Sequence, residues 1–304
     1  YGLIIIFNFA LLALINKEKI SISNFDFLFI VIVIYSFLNF LVTIFFKSLF
    51  VPFSNDSYFC NHFYYVFFYV ADHSVLGLDV VRNQGFYWEP GVLCVVLNIF
   101  LFRLLFGDNL NFRKGLVFLT GFLIFTTFST TGLLVMLLQV IYYLVKKEEN
   151  KMKNIIILFL FLLFSMPIIF SNVTEKVSGK GETSFLLRNY DALVALDVTR
   201  NNFFTGVGFS KIKNKEAQEK SKIYFQSDFT EAHGNTNSVI TIFLYLGVPL
   251  GFVYLFLLYN QKLVNYHRGF FFFILLISLA SEPLIFSGFF IFFTSSYFYK
   301  PFDI

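Results

Sequence analysis

Long apolar runs alternate with short polar segments along the chain, and the lengths of these runs predict membrane-spanning helices. A helix that crosses about 30 Å of hydrocarbon needs about 20 apolar residues. Runs with no charge, or with a single one, recur along the sequence. They are Gly2–Ile15, Phe27–Phe46, Pro90–Phe106, Gly115–Val145, Asn154–Thr174, Thr236–Tyr259 and Gly269–Tyr299.

Two of these runs are longer than one ordinary span. Gly269–Tyr299 is broken by Ser281-Glu282-Pro283, which predicts two short spans. For Gly115–Val145, the positions of the short basic loops distinguish one long helix from two short ones, because loops rich in Lys and Arg stay cytoplasmic. Two helices that turn at residues 129–132 put every basic cluster on one side of the membrane, whereas one long helix does not. The clusters are Lys17/Lys19, Arg113/Lys114, Lys146–Lys153 and Lys262–Arg268.

The predicted fold class is therefore all-α: a polytopic transmembrane helical bundle of about nine spans. We treat residues 1–304 as a single integral membrane domain. The first apolar run starts at residue 1 with no basic front, so we expect no cleavable signal peptide and expect further spans before it.

The order of spans leaves two longer segments on the outer side. The first, residues 47–89, contains the aromatic run Tyr58–Val70, which is too short to span and is expected to lie along the membrane interface. The second, residues 175–235, is a large extracytoplasmic loop. It has predicted helices at Ser184–Leu196 and Lys211–Lys222 and a predicted turn at Gly206-Val207-Gly208. Large polar loops of this kind carry the chemistry of many membrane proteins.

Composition supports this class and excludes others. Residues of the AVILMFWYC set make up 57% of the chain and charged residues 14%, whereas soluble domains carry about 25% charge. The 48 phenylalanines also exclude a disordered chain. The net charge of +4 sits mostly in short loops and indicates topology, so no nucleic-acid partner is expected. Asp72-His73 is a weak isolated pair, and we expect no metal and no cofactor.

The first candidate cluster is Arg82–Gly91, at the start of the third span. Arginine offers a planar fork for phosphate or carboxylate, and Pro90 fits the first turn of a helix. The alternative is a structural cap at the membrane surface, in which Arg82 pairs with Glu89.

Two further clusters fall in and after the second outer segment. If residues 184–196 are helical, an apolar stripe forms with Arg188 beside it; the alternative is that Arg188 is an ordinary surface charge. The stripe comprises Leu186, Leu187, Tyr190, Leu193 and Val194. His233 precedes the span at Thr236 and can act as a general base near neutral pH. The alternative is a polar residue at the helix start, with Asn235 and Thr236 as the caps.

The order of these motifs resembles the O-antigen polymerase and O-antigen ligase superfamily of bacterial envelope glycopolymer enzymes. The resemblance covers roughly Arg82 to Tyr299. Its motifs, in order, are Arg82-x-x-Gly-Phe-x-x-Glu-Pro-Gly, Ser129-Thr-Thr-Gly, Arg188 with Gly206-Val-Gly-Phe, His233-Gly-Asn, and Gly247-Val-Pro-Leu-Gly.

The resemblance implies metal-independent glycosyl transfer on the periplasmic side of the bacterial inner membrane, from a saccharide carried on undecaprenyl diphosphate. It assigns Arg188 to the diphosphate and His233 to deprotonation of the acceptor hydroxyl. Arg82 matches an earlier arginine of the outer loops. Glu89 belongs to a Glu-Pro pattern typical of polymerases, and we include it, with Asn235, in the expected substrate site.

The predicted function is polymerisation of lipid-linked oligosaccharide repeats into O-antigen, capsule or exopolysaccharide. One alternative is an O-antigen ligase that transfers glycan to lipid A core, although Ser129–Gly132 lacks the arginine that ligases often have there. A second alternative is a lipid-linked saccharide flippase without catalysis, which would place ionisable or Gly/Pro-broken sites at mid-membrane. The expected partners are the lipid-linked oligosaccharide, the bilayer and a chain-length regulator protein.

Overall fold

The structure is a computed structural model that describes residues 24–55, 58–70, 72–75, 78–107, 113–146, 151–178, 182–221 and 237–298. Within these ranges the chain is mostly helical, with ten α-helices and five short strands. Helices α1 to α10 are Asn24–Phe45, Pro90–Phe106, Arg113–Thr126, Thr130–Lys146, Lys151–Ser178, Glu182–Asn201, Lys211–Glu219, Ser238–Tyr259, Arg268–Ser281 and Gly288–Ser295. Strands β1 to β5 are Val51–Asn55, Tyr58–Phe63, Phe67–Tyr69, Asp72–Val75 and Leu78–Val81.

Both interrupted runs form two helices, as predicted. Between α3 and α4 the chain turns at residues 127–129, where Phe128 has a left-handed φ of 48°; the turn was predicted at 129–132, but residues 130–132 already belong to α4. Between α9 and α10 the helix stops at Ser281, and Glu282 is extended. The predicted run Gly2–Ile15 lies outside the described residues.

Three of the described helices are long and apolar enough to cross a membrane: Asp26–Phe45, Asn154–Thr174 and Ser238–Tyr259. Other apolar helices are shorter; α2 and α4 each have 17 residues and rise about 25 Å. The apolar helices identify a membrane protein, and the total of about nine spans stays a prediction.

The chain divides into two compact units, one formed by Ser23–Glu175 and the other containing Lys176–Ile304. In the first unit, basic side chains gather where α2 ends and α3 begins. The Arg103 guanidinium binds the Asp26 carboxylate, with 2.6 Å between Nη2 and Oδ1. Arg113 Nη2 donates to the Leu105 carbonyl at 2.6 Å, which satisfies a free carbonyl at the end of α2. These contacts place the start of α1, the end of α2 and Arg113, of the predicted cytoplasmic cluster Arg113/Lys114, at the same end of this unit.

Segment 47–89, which was predicted to lie on the outer side, contains the five strands found among the described residues, and the all-α prediction did not include them. Strands β1, β2 and β3 form an antiparallel sheet in that order, and β4 and β5 form a separate hairpin. The aromatic run Tyr58–Val70 therefore forms β2, a turn and β3. Aromatic residues favour strands, and antiparallel pairing satisfies the backbone of a segment too short to span.

In the second unit, the predicted helix Ser184–Leu196 is present within α6, and the predicted helix Lys211–Lys222 is present as α7 but ends at Glu219; Lys222 lies outside the described residues. Val194, Ala195 and Val198 of α6 are buried against Leu244 of α8. The predicted apolar stripe is partly wrong, because Leu193 is 50% exposed. The buried face instead runs through residues 191, 194, 195, 198 and 199, so it shares Val194 with the stripe predicted from the sequence.

Candidate functional site

The segment around Arg82 is fastened to the helices of the first unit by hydrogen bonds. Arg82 Nε donates to the Thr127 carbonyl at 2.9 Å, in the turn between α3 and α4. The next residue, Asn83, is 2% exposed. Its Nδ2 donates to the Ser36 carbonyl and to Thr126 Oγ1, both at 3.1 Å. Its backbone N–H donates to the Thr126 carbonyl at 2.9 Å.

The same segment then turns toward α2. The Gly85 N–H donates to Asn83 Oδ1 at 3.1 Å, and Gly85 has a left-handed φ of 57°. Glu89 follows as the extended N-cap residue of α2, and Pro90 occupies the first helical position, as predicted. The Glu89 side chain is exposed and makes no capping hydrogen bond. Glu89 is therefore accessible at the same end of the unit as Arg82.

The motif Ser129-Thr-Thr-Gly occupies the start of α4 and packs closely on α2. A Cβ added to Gly132 would lie 1.9 Å from Cys94 Sγ. Asn98 Nδ2 donates to the Gly132 carbonyl at 3.2 Å and is tied in turn to Gln139. This motif is explained by close helix packing, which a side chain at position 132 would prevent.

In the second unit, the Gly206-Val-Gly turn docks on a break inside α8. Gly247 is non-helical, with φ 73° and ψ 169°, and Pro249 has no N–H to donate. The break frees the carbonyls of Leu244 and Tyr245. They accept hydrogen bonds from Val207 N at 2.9 Å and Gly208 N at 3.1 Å. The Val248 N–H donates to the Phe203 carbonyl at 2.7 Å.

We call this set of backbone bonds the glycine crossing; it comprises residues 203–208 and 244–248. Its two backbones approach so closely that a Cβ on Gly206 would lie 2.5 Å from the Gly247 nitrogen. Gly206 and Gly208 both have left-handed φ values, which explains the two glycines of the motif. The sequence predicted the turn but not its partner in α8.

A cavity of about 500 Å³ lies beside the glycine crossing. Its wall includes Gly206, Val207 and one face of α7 and its C-cap residue, where the exposed side chains of Lys213, Glu216 and Lys220 recur at helical spacing. The three side chains leave one net positive charge. We call this the basic cavity. Sequence reasoning missed it, although the spacing of Lys213, Glu216 and Lys220 was readable once residues 211–222 were taken as a helix.

Arg188 lies on α6, and its side chain is exposed. It is ten residues before Val198, the α6 residue that lines the basic cavity with Asn201, so the two positions are about 15 Å apart along the helix. Residue 188 is on the same helical face as the buried Ala195, beyond the part of that face that packs on α8. Arg188 is thus available to a ligand but does not line the basic cavity.

His233, Asn235 and Thr236 lie outside the described residues, so their predicted roles stay predictions. The described chain resumes at Asn237, whose Oδ1 accepts hydrogen bonds from Val239 N at 3.0 Å and Ile240 N at 3.2 Å. Asn237 is therefore the N-cap of α8. Ser238 Oγ accepts from Leu284 N at 2.8 Å, which ties the α9–α10 loop to the start of α8.

The described residues contain no group of three or more His, Cys, Asp or Glu side chains arranged to hold a metal ion. The Asp72-His73 pair lies in β4. The cationic side chains that line the basic cavity are lysines, whose ammonium groups bind anionic groups.

Residues 115–255 match the family model described as O-antigen ligase. The match runs from α3 into α8 and includes Arg188, the glycine crossing, the basic cavity and the position of His233. The superfamily resemblance is confirmed over this segment. Comparison with curated proteins and with solved structures finds no match to the chain.

Proposed function

Because residues 115–255 match the family model described as O-antigen ligase, we propose that the chain polymerises oligosaccharide repeats carried on undecaprenyl diphosphate. The observation that supports chemistry in this segment is the basic cavity beside the glycine crossing. Two lysines at a cavity wall suit a ligand with concentrated negative charge, as the diphosphate has. Arg188, on α6, does not line this cavity; its planar guanidinium makes it a separate candidate for binding the diphosphate.

In the proposed reaction the acceptor hydroxyl loses its proton to His233. Its oxygen attacks the anomeric carbon of the donor sugar, and the bond from that carbon to the diphosphate oxygen breaks. The electron pair leaves with the diphosphate, where either Arg188 or the cavity lysines Lys213 and Lys220 would stabilise the developing charge. A positioned general base contributes about 10²–10⁴-fold to such a step.

Polymerase is proposed over ligase because Glu89 and Pro90 form the polymerase-like pair and Ser129–Gly132 lacks an arginine. The ligase is the second candidate, and the description of the matching family favours it. The break at Gly247 is a feature expected of a flippase. It also fits a structural role, because the backbone of residues 203–208 satisfies its free carbonyls.

The proposal includes about nine spans in the bacterial inner membrane, with the segments 47–89 and 175–235 on the periplasmic side. Arg82, Glu89, Asn235 and His233 would then face the headgroup layer that presents the lipid-linked sugars. A chain-length regulator protein is a proposed partner.

The test is the ladder of surface polysaccharide in cells that carry only the His233→Ala chain. Loss of the general base should leave single repeats on the lipid A core while the protein accumulates normally in the membrane. The matched control is His267→Asn, in the α8–α9 loop. It removes an exposed imidazole and keeps a residue that tolerates the left-handed backbone there, φ 44°.

Three outcomes separate the candidates. Single repeats on the core support the polymerase. A polymer that stays on its lipid carrier and never reaches the core supports the ligase. A normal ladder at a normal protein level removes His233 from the mechanism and favours transport.

A further inference from the structure

An aromatic pocket is formed in the first unit where the three-stranded sheet meets the Arg82–Pro90 segment. It has a volume of about 360 Å³, within the range of small-ligand sites. The segment contributes Gln84, Phe86, Tyr87 and Trp88, and β2 and its turn contribute His62 and Tyr65. The function proposed above makes no use of this pocket.

The ring faces that line the pocket come from two rigid supports. The hydrogen bonds of Asn83 and Gly85 hold the start of the Phe86-Tyr87-Trp88 run. On the other side, the His62 and Tyr65 rings stack with 3.9 Å between centroids. A sugar ring presents apolar C–H groups on its faces, and such groups pack on the electron-rich faces of aromatic rings.

The turn that carries Tyr65 is strained. Tyr64 and Tyr65 both have positive φ values, 51° and 56°, which bulky residues rarely adopt. The Val66 N–H closes the turn on the Phe63 carbonyl at 3.1 Å. Strain of this kind persists where the surroundings hold it, often at ligand clamps, and here it presents the Tyr65 ring to His62.

The polar groups of the pocket suit a neutral ligand. His62 is 9% exposed, and its Nδ1 has no hydrogen-bond partner among the described residues, so a ligand hydroxyl would satisfy it. The Tyr87 phenol is uncharged at neutral pH, and burial raises its pKa further, to about 12. The described lining has no Lys, Arg, Asp or Glu side chain, which argues against a diphosphate.

We propose that this pocket binds an uncharged sugar unit of the lipid-linked oligosaccharide, separately from the diphosphate. That the sugar is carried on a lipid diphosphate rests on the proposed function. That the pocket binds a sugar rests on the pocket alone.

Trp88 provides the measurement, because it is the one tryptophan of the chain and lines the pocket at 44% exposure. Its emission is followed in the purified, detergent-solubilised full chain. The probes are a panel of neutral methyl hexosides and N-acetylhexosaminides, oligosaccharides released from the lipid-linked fraction of the same cells, and inorganic pyrophosphate. We expect a saturable change with at least one sugar probe and none with pyrophosphate. An unchanged emission with every sugar would overturn the proposal.

The matched variants are Tyr65→Gly and Tyr64→Gly. Both relieve the positive φ, so neither should unfold the turn. Only Tyr65 lines the pocket, so Tyr65→Gly should weaken sugar binding about tenfold and Tyr64→Gly should leave it unchanged. Equal effects of the two would contradict the assignment.

This test and the ladder test fail separately. Sugar binding to the wild-type chain, together with a normal ladder for His233→Ala, would keep the pocket and reject the polymerase. A ladder reduced to single repeats without any sugar binding would keep the polymerase and reject the pocket.

Discussion

The two units attach their polar segments to apolar helices in different ways. In the first, the amide side chain of Asn83 connects the Arg82 segment to α1 and α3. In the second, the glycine crossing connects the Gly206 turn to α8 through backbone atoms. The first attachment depends on one side chain that donates and accepts. The second depends on the absence of side chains, so the two should respond to opposite kinds of substitution.

The largest effect is expected at the glycine crossing. A Cβ on Gly206 would meet backbone atoms of Tyr245 and Gly247 at 2.5–2.6 Å, and backbone cannot swing aside as a side chain can. With the left-handed strain added, Gly206→Ala should destabilise the protein by roughly 2–5 kcal/mol. The measurement is the midpoint of thermal unfolding in detergent, with the amount of protein in the membrane as a second readout.

Gly208→Ala is the matched control for this substitution. Its φ is also left-handed, at 71°, but nothing lies within 4 Å of the added Cβ. It should cost only the strain, roughly 1–2 kcal/mol. If the two variants unfold at the same temperature, the close approach of the two backbones is not what holds the crossing together.

A smaller effect is expected at the Asn83 attachment. Asn83→Asp keeps the shape and the acceptor but removes the Nδ2 donor, leaving the Ser36 carbonyl without this bond. The loss should be roughly 1–3 kcal/mol, measured by the same unfolding midpoint. Asn189→Asp, on the exposed face of α6, is the control and should stay within about 0.5 kcal/mol. A stable Asn83→Asp protein would mean that backbone bonds carry this attachment too.

The apolar runs were enough to predict the helices because span length and basic loops are local properties of a sequence. The break at Ser281–Pro283 was predicted on the same grounds, and so was a turn within Gly115–Val145, although the turn lies at residues 127–129 and not at 129–132. The pairing of Gly206 with Gly247 was not predictable, since it joins residues far apart in the chain through backbone atoms. The strands of 47–89 were not predictable from the same pattern, because a short aromatic run between membrane spans fits an interfacial segment as well as it fits antiparallel strands.

The candidate site residues were predicted where they are close together in the sequence and missed where only the fold brings them together. Arg82 and Glu89 lie in one short segment, so the motif located them together. The basic cavity combines α6, α7 and the Gly206 turn, and only the fold brings these together. Asn83 belongs to the same motif as Arg82 and was not predicted to have a role. It nevertheless makes more of the described hydrogen bonds to the helices than Arg82 does.

The smallest effect on stability is expected for the arginines, and here the comparison bears on function. Arg82 Nε is bound to the Thr127 carbonyl, whereas the Arg188 side chain is exposed. Arg188→Lys should therefore change the unfolding free energy by less than about 0.5 kcal/mol.

The polysaccharide ladder of the same cells should nevertheless shorten, because lysine keeps the charge of Arg188 but not the fork that grips a diphosphate in two places. Arg200→Lys, an exposed arginine at the end of the same helix, is the matched control and should leave the ladder intact. If Arg188→Lys and Arg188→Ala both give full ladders, residue 188 is an ordinary surface charge. The diphosphate would then be bound by Lys213 and Lys220, and replacement of these lysines by glutamine should shorten the ladder instead.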